Sequence, residues 1–193
     1  MAKIKFCGLR RKEDIEYVNS LKPDYAGFIL SGGFKRSIDI QKARELAADI
    51  DKDISIVGVF VNPTLEETNL DFIDYIQLHG DESPAFCKSL SKPVIKVLKP
   101  KDFDKVDEYK EYVDYFLFDS GYGTGSTFDW DIIPKTDKQF FLAGGLDKDN
   151  IKLAISKVNP YAIDLSSSVE TDGVKDYNKM KQVINIVRSL ENE

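Results

Sequence analysis

The chain has 193 residues, which is enough for one domain with a sizeable core. Its net charge of −6 argues against nucleic acid as the main partner, because proteins meet phosphate backbones with basic surfaces, but a local positive pocket still allows a small anionic ligand. Apolar runs are too short for a membrane span or a signal peptide, and two distant cysteines do not suggest a disulfide scaffold, so we expect a cytoplasmic protein with free thiols and no membrane partner.

Short β-rich runs alternate with charged runs of helical period along the chain. The runs that we predict as strands are 3–7, 25–30, 55–61, 74–79, 93–98, 114–119, 139–143 and 161–166. Helix start signals lie between several of them. Asp39 precedes one apolar-periodic run, Thr64 and Glu67 form a capping box before another, Asp147 opens a third, and a final helical run covers 174–190.

This alternation of strands and helices predicts parallel strands. Eight such units fit a single (β/α)₈ TIM barrel of the α/β class that spans residues 1–193, although the chain is shorter than is typical. An open, doubly wound sheet is the structural alternative. Its dinucleotide-binding version is disfavoured, because no G-x-G-x-x-G follows the first strand. In a barrel, the active site lies at the C-terminal ends of the strands.

The predicted strand ends carry reactive side chains and glycines. The residues there include Cys7, His79, Asp119, Gly144, Gly145, Ser166 and Ser167. Because side chains alternate along a strand, Lys5 should lie inside the barrel below Cys7. The same alternation places Gln77 below His79 and Asp164 below the end of the last strand. The first and last strands are neighbours in a closed barrel, so we expect Lys5 and Asp164 to form a buried ion pair.

Position alone leaves two interpretations each for Cys7 and Asp119. A thiol at the barrel mouth can act as a base or nucleophile if its pKa is lowered, but a buried cysteine is also a small apolar side chain. A carboxylate there can act as a general acid, or it can cap a helix or loop. Cys87 falls within a predicted helix, and we interpret it as structural.

His79 and Arg36 are also open to two interpretations. His79 is the only histidine and the cysteines form no cluster, so we expect no metal site. The two interpretations of His79 are a structural hydrogen bond and a contact with a substrate. Arg36 follows the second predicted strand and can pair with a carboxylate, or it remains a solvated loop charge beside Lys35.

Three consecutive loops, after predicted strands six, seven and eight, are rich in glycine or serine. They contain Gly123, Gly125, Gly144, Gly145, Ser166 and Ser167. Exposed backbone N–H groups make an anion site, and barrel proteins often bind phosphate after strands seven and eight. These loops therefore indicate a phosphorylated small-molecule ligand. We expect Phe128 and Trp130 to anchor the first of the loops to the barrel.

Several motifs, in their order along the chain, resemble the phosphoribosylanthranilate isomerase family of tryptophan biosynthesis. They are KFCGL, GFIL, VGVFVN, IQLHGDE, FLFDS with GTGSTFDW, LAGGL and DLSSSVETDGVKD, and they cover nearly the whole chain. The resemblance implies a cofactor-free Amadori rearrangement of N-(5-phosphoribosyl)anthranilate to the corresponding 1-deoxyribulose 5-phosphate.

The resemblance also implies a role for each matching residue. Asp119 would be the general acid that protonates the ribose ring oxygen, and Cys7 would be the general base that removes the C2 proton. Arg36 would hold the anthranilate carboxylate, and the glycine and serine loops would hold the phosphate. The chain departs from the family pattern at Tyr122 and Ser168, in the phosphate loops, and immediately before Arg36.

Two other functions remain alternatives from the sequence. One is an isomerase or epimerase that acts on another sugar phosphate. The other is a non-catalytic protein that binds a phosphorylated ligand on the same barrel. The presence of both Cys7 and Asp119 favours the isomerase of the resembling family. The sequence leaves both a monomer and a homodimer open.

Overall fold

A computed structural model describes residues 2–120 and 129–190. Eight parallel strands form a closed barrel in chain order, which confirms the predicted (β/α)₈ architecture. The strands are β1 (Lys3–Cys7), β2 (Tyr25–Ile29), β3 (Ser55–Phe60), β4 (Tyr75–Leu78), β5 (Val94–Leu98), β6 (Tyr115–Phe118), β7 (Phe140–Leu142) and β8 (Ala162–Leu165). The barrel closes where β1 pairs with β8, with Lys5 in register with Asp164.

Helices connect most of the strands on the outside of the barrel. The α-helices are α1 (Lys12–Leu21), α2 (Ile40–Ala47), α3 (Leu65–Thr68), α4 (Pro84–Ser89), α5 (Val106–Tyr109), α6 (Ile151–Val158) and α7 (Tyr177–Ser189). Short 3₁₀ helices cover Pro100–Lys105, Trp130–Ile132 and Ser167–Val169. A small antiparallel hairpin, β9 (Glu170–Thr171) with β10 (Val174–Lys175), follows β8. No helix in the described part of the chain is long and apolar enough to cross a membrane.

The predicted caps of α2 and α3 are confirmed. The Asp39 side chain accepts a hydrogen bond from the backbone N–H of Lys42 at 2.8 Å. Thr64 and Glu67 form the reciprocal capping box, in which each side chain accepts a hydrogen bond from the backbone N–H of the other residue. Cys87 lies in α4 and is buried, as expected of a structural cysteine.

Two helices begin later than the sequence predicted. Asp147 does not cap α6, which begins at Ile151, because its carboxylate accepts hydrogen bonds from the next turn instead, including the N–H of Asp149 at 2.9 Å. The C-terminal helix begins at Tyr177, because the residues that we assigned to its first turn, Val174–Lys175, pair with β9. Polar side-chain bonds and strand pairing here override the helical pattern.

An aromatic layer fills the N-terminal end of the barrel. Tyr25, Tyr75 and Tyr115 begin the even-numbered strands β2, β4 and β6, and their rings pack with Phe141 and Tyr161. Inward-facing residues from alternate strands form such layers in barrels of this class. The N-terminal end is therefore filled by side chains, and the polar residues predicted for the opposite end line a cavity.

An aspartate precedes each of these three tyrosines. The carboxylates of Asp24, Asp74 and Asp114 accept hydrogen bonds from the first or second N–H of the preceding strand, at 2.9, 2.7 and 2.8 Å. Each aspartate thus joins one odd-numbered strand to the even-numbered strand that follows. The repeated Asp-Tyr pair fixes both the start of the strand and the aromatic layer.

Candidate active site

A cavity of about 980 Å³ opens at the C-terminal end of the barrel. Its lining contains every described residue that the sequence analysis assigned to a site, namely Cys7, Arg36, His79, Asp119, Gly144, Gly145, Ser166 and Ser167. Gly123, Gly125 and Phe128 lie outside the described residues. Trp130 packs against the hydrophobic core outside the barrel.

Cys7 ends β1 at the cavity wall and is 6% exposed. Burial raises the pKa of its thiol, whereas the Lys5 ammonium lowers that pKa and the Asp164 carboxylate raises it. The buried Lys175 ammonium also lowers the Cys7 pKa. The thiol is therefore mostly protonated at neutral pH, and positive charges are the groups that favour its thiolate.

Lys5 and Asp164 form the ion pair that the sequence predicted. Lys5 Nζ donates a hydrogen bond to Asp164 Oδ1 at 3.0 Å, and the Lys5 side chain is fully buried. Gly27, opposite Cys7 on β2, makes room for this arrangement. A Cβ added at Gly27 would lie 3.0 Å from Cys7 Sγ and 3.3 Å from Lys5 Cε. The thiol and the ammonium occupy the space that a larger side chain would fill.

Asp119 and His79 face each other at the ends of β6 and β4. His79 Nε2 lies 3.6 Å from Asp119 Oδ2, which is longer than a hydrogen bond. Burial lowers the pKa of His79, the Asp119 charge opposes this effect, and Lys99 adds to it. The imidazole is therefore neutral at neutral pH and lies beside the carboxylate without forming a strong ion pair.

Arg36 reaches the cavity but is engaged by a carboxylate that the sequence analysis did not single out. Its Nε and Nη2 donate to the two carboxylate oxygens of Glu170, at 2.6 and 2.9 Å. Lys175 Nζ donates to Glu170 Oε1 at 2.9 Å and to the backbone oxygen of Ser166 at 2.9 Å. Two basic side chains thus share one carboxylate beside Cys7, and burial lowers the pKa of Lys175 while Glu170 opposes this effect.

The sequence offered one signal for this network. Glu170 and Lys175 both lie in DLSSSVETDGVKD, but their pairing depends on the β9–β10 hairpin, in which the two residues are in register. Lys99, Lys35 and Gln77 also line the cavity. The position of Lys99 directly after β5, and of Lys35 in the loop that follows β2, would have been the sequence signal for those two.

The loops after β7 and β8 expose backbone groups to the cavity. Gly144 and Gly145 have φ values of 83° and 65°, a region that side chains other than glycine rarely adopt. A Cβ on Gly144 would also lie 2.4 Å from Ser120 Oγ. Ser166 Oγ donates to the backbone oxygen of Cys7 at 3.0 Å, which joins the end of β8 to the end of β1. Ser167 begins the short 3₁₀ helix beyond it.

These features define a (β/α)₈-barrel protein with a thiol, a carboxylate and glycine-containing loops around one cavity, which is a site suited to proton transfer on an anionic ligand. The family profile described as N-(5'phosphoribosyl)anthranilate (PRA) isomerase matches residues 4–186. The chain belongs to this isomerase family.

Individual relatives agree with the family match over full length. The chain is 45% identical to the N-(5'-phosphoribosyl)anthranilate isomerase of Endomicrobium trichonymphae, with 98% of this chain and 100% of that protein covered. It is similar to the crystal structure of phosphoribosyl anthranilate isomerase from Thermotoga maritima, with a TM-score of 0.89 and 32% identity over 98% of this chain and 100% of the other. Another similar structure, at 30% identity and a TM-score of 0.83 over 98% of this chain and 100% of the other, is a complex of this enzyme with reduced 1-(o-carboxyphenylamino)-1-deoxyribulose 5-phosphate.

Proposed function

We propose that this chain converts N-(5-phosphoribosyl)anthranilate to 1-(2-carboxyphenylamino)-1-deoxyribulose 5-phosphate, in tryptophan biosynthesis, with Asp119 as general acid and Cys7 as general base. The observation that carries the assignment is that Cys7, at the end of β1, and Asp119, directly after β6, line one cavity at the barrel mouth. The family membership supports the overall reaction, and the geometry supports the division of roles.

The reaction moves protons and needs one acid and one base. Asp119 donates a proton to the ribose ring oxygen, the ring opens, and the lone pair of the anilino nitrogen forms a protonated Schiff base with C1. The Cys7 thiolate then removes the C2 proton, and the electron pair of that C–H bond moves to give an enolamine. Tautomerisation of the enolamine gives the C2 ketone. Positioned groups of this kind accelerate proton transfer by roughly 10²–10⁴-fold each.

Charges in the cavity support a substrate with two anionic ends. We propose that the phosphate lies at Gly144 and Gly145, Ser166 and Ser167, with Gly123 and Gly125 as further phosphate contacts, and that backbone N–H groups bind it. The substrate carboxylate then meets Arg36. Within residues 2–120 and 129–190, Arg36 Nη1 makes no hydrogen bond, because Glu170 is bound by Nε and Nη2. Nη1 is therefore the atom that binds the carboxylate, while Glu170 fixes the guanidinium.

His79 lines the cavity beside the proposed acid, with Nε2 3.6 Å from Asp119 Oδ2. Its neutral imidazole can donate or accept one hydrogen bond without adding charge beside Asp119. We assign it to substrate contact and not to proton transfer, because Asp119 and Cys7 already supply the acid and the base.

Turnover of N-(5-phosphoribosyl)anthranilate by the purified protein tests this function directly. Plain pentose 5-phosphates, which lack the anthranilate carboxylate, are the matched control substrates and should not be converted. The gene should also restore growth to a tryptophan auxotroph that lacks this isomerase step. Conversion of a plain pentose phosphate with none of the anthranilate derivative would contradict the proposal.

We further propose that the protein works in the cytoplasm, as a monomer or a homodimer. A similar structure, 30% identical, is described as mutually generated monomers of the dimeric enzyme from Thermotoga maritima, so relatives with this fold exist in both states. Light scattering of the purified protein at several concentrations decides between the two.

A further inference from the structure

A buried ion pair lies outside the barrel wall, next to the loop that follows His79. Lys96 is on β5, where its neighbours Ile95 and Val97 face the barrel interior, so its side chain points to the outer side of the wall. Lys96 Nζ lies 2.7 Å from Glu82 Oε2, and both side chains are 2% exposed. Neither residue is among the cavity-lining residues in the described part of the chain, so the pair acts on the site only through other residues.

The ion pair holds both polar backbone groups of Gly80, the residue directly after His79. The N–H of Gly80 donates to the two carboxylate oxygens of Glu82, at 3.1 Å each, and Lys96 Nζ donates to the backbone oxygen of Gly80 at 2.7 Å. Glu82 Oε1 also accepts a hydrogen bond from the N–H of Asn62 at 2.8 Å. One carboxylate thus joins the loops that follow β3 and β4.

These two loops approach each other so closely that Gly80 has no room for a side chain. A Cβ at Gly80 would lie 2.4 Å from Asn62 Oδ1 and 2.8 Å from Asn62 N. Asn62 Oδ1 accepts a hydrogen bond from the N–H of Asp81 at 2.8 Å. On the other side, the N–H of His79 donates to the backbone oxygen of Phe60 at 2.8 Å. The backbone is therefore fixed on both sides of the imidazole.

Stability alone does not account for a buried ion pair of this kind. Taking two charges out of water costs free energy that their attraction often fails to recover, and replacing such a pair by apolar residues of similar volume is often neutral or stabilising. Here the carboxylate binds N–H groups from two loops at the barrel mouth. What an apolar pair would not supply is this fixed arrangement of the backbone.

We propose that Glu82 and Lys96 are positioning residues of the site, which fix the backbone after His79 and so hold its imidazole beside the Asp119 carboxylate. The two groups lie 3.6 Å apart, from His79 Nε2 to Asp119 Oδ2. The positioning itself requires no ligand, whereas its importance for catalysis rests on the proposed function.

The imidazole can be observed directly, because His79 is the only histidine in the chain. The protein without a histidine tag gives one imidazole C2–H signal in proton NMR. Burial lowers the pKa of His79 below 6.5, Asp119 raises it by a smaller amount, and Lys99, Asp164 and Lys5 have smaller effects of both signs. Asp119→Asn should therefore lower the titration midpoint of this signal by about one unit. This shift measures the coupling between the imidazole and the carboxylate.

Glu82→Leu with Lys96→Met removes both charges together, along with their hydrogen bonds to the two loops. The backbone after His79 is then free to move away, so Asp119→Asn in this background should shift the midpoint by less than half of the wild-type amount. The midpoint itself should rise toward 6.5, because burial is the larger influence and weakens as the loop opens. Glu82→Gln with Lys96→Met keeps an acceptor for the N–H groups and should retain more of the shift.

Met180→Ala is the matched control for a general loss of stability. Met180 is fully buried in α7, in a different hydrophobic cluster from Val94 and Leu98, which flank Lys96 on β5. The cavity that this substitution creates should lower Tm. The shift caused by Asp119→Asn should keep its full wild-type size in this background.

Glu82→Asp provides the same test if the Leu and Met variant does not fold. It keeps a charge beside Lys96, but its side chain is one methylene too short to bind both loops, so the Asp119→Asn shift should again be reduced. A shift of wild-type size in Glu82→Leu with Lys96→Met, or in Glu82→Asp where the double variant does not fold, would overturn the inference. Absence of turnover in the wild-type protein would instead overturn the proposed function and leave the NMR result unaffected.

Discussion

Lys5 and Asp164 join the first and last strands of the barrel directly beneath Cys7. Lys5 Nζ lies 3.0 Å from Asp164 Oδ1, and the lysine side chain is fully buried. The ammonium lowers the pKa of the Cys7 thiol, and the carboxylate raises this pKa by a smaller amount. The ion pair that closes the barrel therefore also influences the ionisation of the proposed base, although burial has the larger effect on its pKa.

Neutralising this pair should shift the ionisation of Cys7 to higher pH. The Lys5 ammonium lowers the pKa of Cys7 more than the Asp164 carboxylate raises it. Lys5→Met with Asp164→Asn removes both charges, so the pKa of the thiol should rise. Less thiolate is then present at any given pH. The rate of alkylation by iodoacetamide against pH, measured in a Cys87→Ala background, should have its midpoint at higher pH than in the parent.

The matched control is an equally buried ion pair in another part of the barrel. Lys96 and Glu82 are both 2% exposed in their side chains and lie 2.7 Å apart. Lys96→Met with Glu82→Gln should affect stability but leave the alkylation midpoint of Cys7 in place. Equal midpoints in the Lys5/Asp164 variant and its parent would show that the pair has a structural role alone.

Cys7→Ser and Asp119→Asn should each reduce kcat by roughly 10²–10⁴-fold, because each removes one proton-transfer group and keeps the shape of the side chain. A serine hydroxyl ionises far less readily than a thiol, and an asparagine amide does not donate the ring-opening proton. The Kd of the reduced product analogue should change much less than kcat. Near wild-type turnover by Cys7→Ser would assign the base to another group.

Arg36→Met should raise KM strongly and reduce kcat less. The guanidinium binds the substrate carboxylate in the ground state and in the transition state alike, so its loss affects mainly binding. A charge-assisted hydrogen bond of this kind corresponds to about 10- to 100-fold in KM. Steady-state kinetics give both constants. Lys35→Met is the control, and it should have a smaller effect. An unchanged KM in Arg36→Met would remove Arg36 from the binding site.

Glu170 should contribute to the loss of stability in acid. Burial raises its pKa, but the hydrogen bonds and charges of Arg36 and Lys175 outweigh burial and hold the pKa at about 2, below the usual 4.5. A carboxylate with a lowered pKa in the folded state stabilises the protein above its unfolded pKa, and this contribution is lost as the pH falls from about 4.5 to about 2.

Denaturant unfolding as a function of pH tests this assignment. Glu170→Gln should be less stable at neutral pH, because Lys175 loses its charged partner, and its stability should fall less steeply through that acid range. Glu16→Gln, at an exposed position on α1, should follow the wild-type curve. A parallel decline in Glu170→Gln and wild type would contradict the role of Glu170 in acid.

The sequence predicted the barrel because each strand is a short apolar run and several of the connections carry helix signals. Strand bounds differ from the prediction by one residue at several ends. At β4 and β6 the leading aspartates, Asp74 and Asp114, lie outside the strands and bond to the strand before them. Periodicity marks the apolar run but does not show which end residue turns its side chain to a neighbouring strand.

The candidate site was predictable where residues end strands, since strand ends converge in a barrel. Cys7, His79 and Asp119 were found in this way. Glu170 and Lys175 were not, because the network in which Glu170 binds both Lys175 and Arg36 depends on a hairpin whose strands are two residues each. Short hairpins carry too little periodicity to be detected, and long-range ion pairs leave no pattern in one sequence.

The repeated Asp-Tyr pairs lead to a prediction about stability. Asp74 Oδ2 accepts a hydrogen bond from the N–H of Ile56 at 2.7 Å, which fixes the start of β3 against β4. Asp74→Ala leaves that N–H without its partner and should lower the free energy of unfolding by about 1 kcal/mol. Urea unfolding at neutral pH measures the change. Asp53 is an exposed aspartate in the turn before β3, so Asp53→Ala is the control and should have almost no effect.

Asp24 and Asp114 make the same contact at β1 and β5. The three sites share no partner, so the triple alanine variant should lose an unfolding free energy close to the sum of the three single losses. A triple variant as stable as Asp74→Ala alone would mean that water replaces the carboxylates at the other two strands.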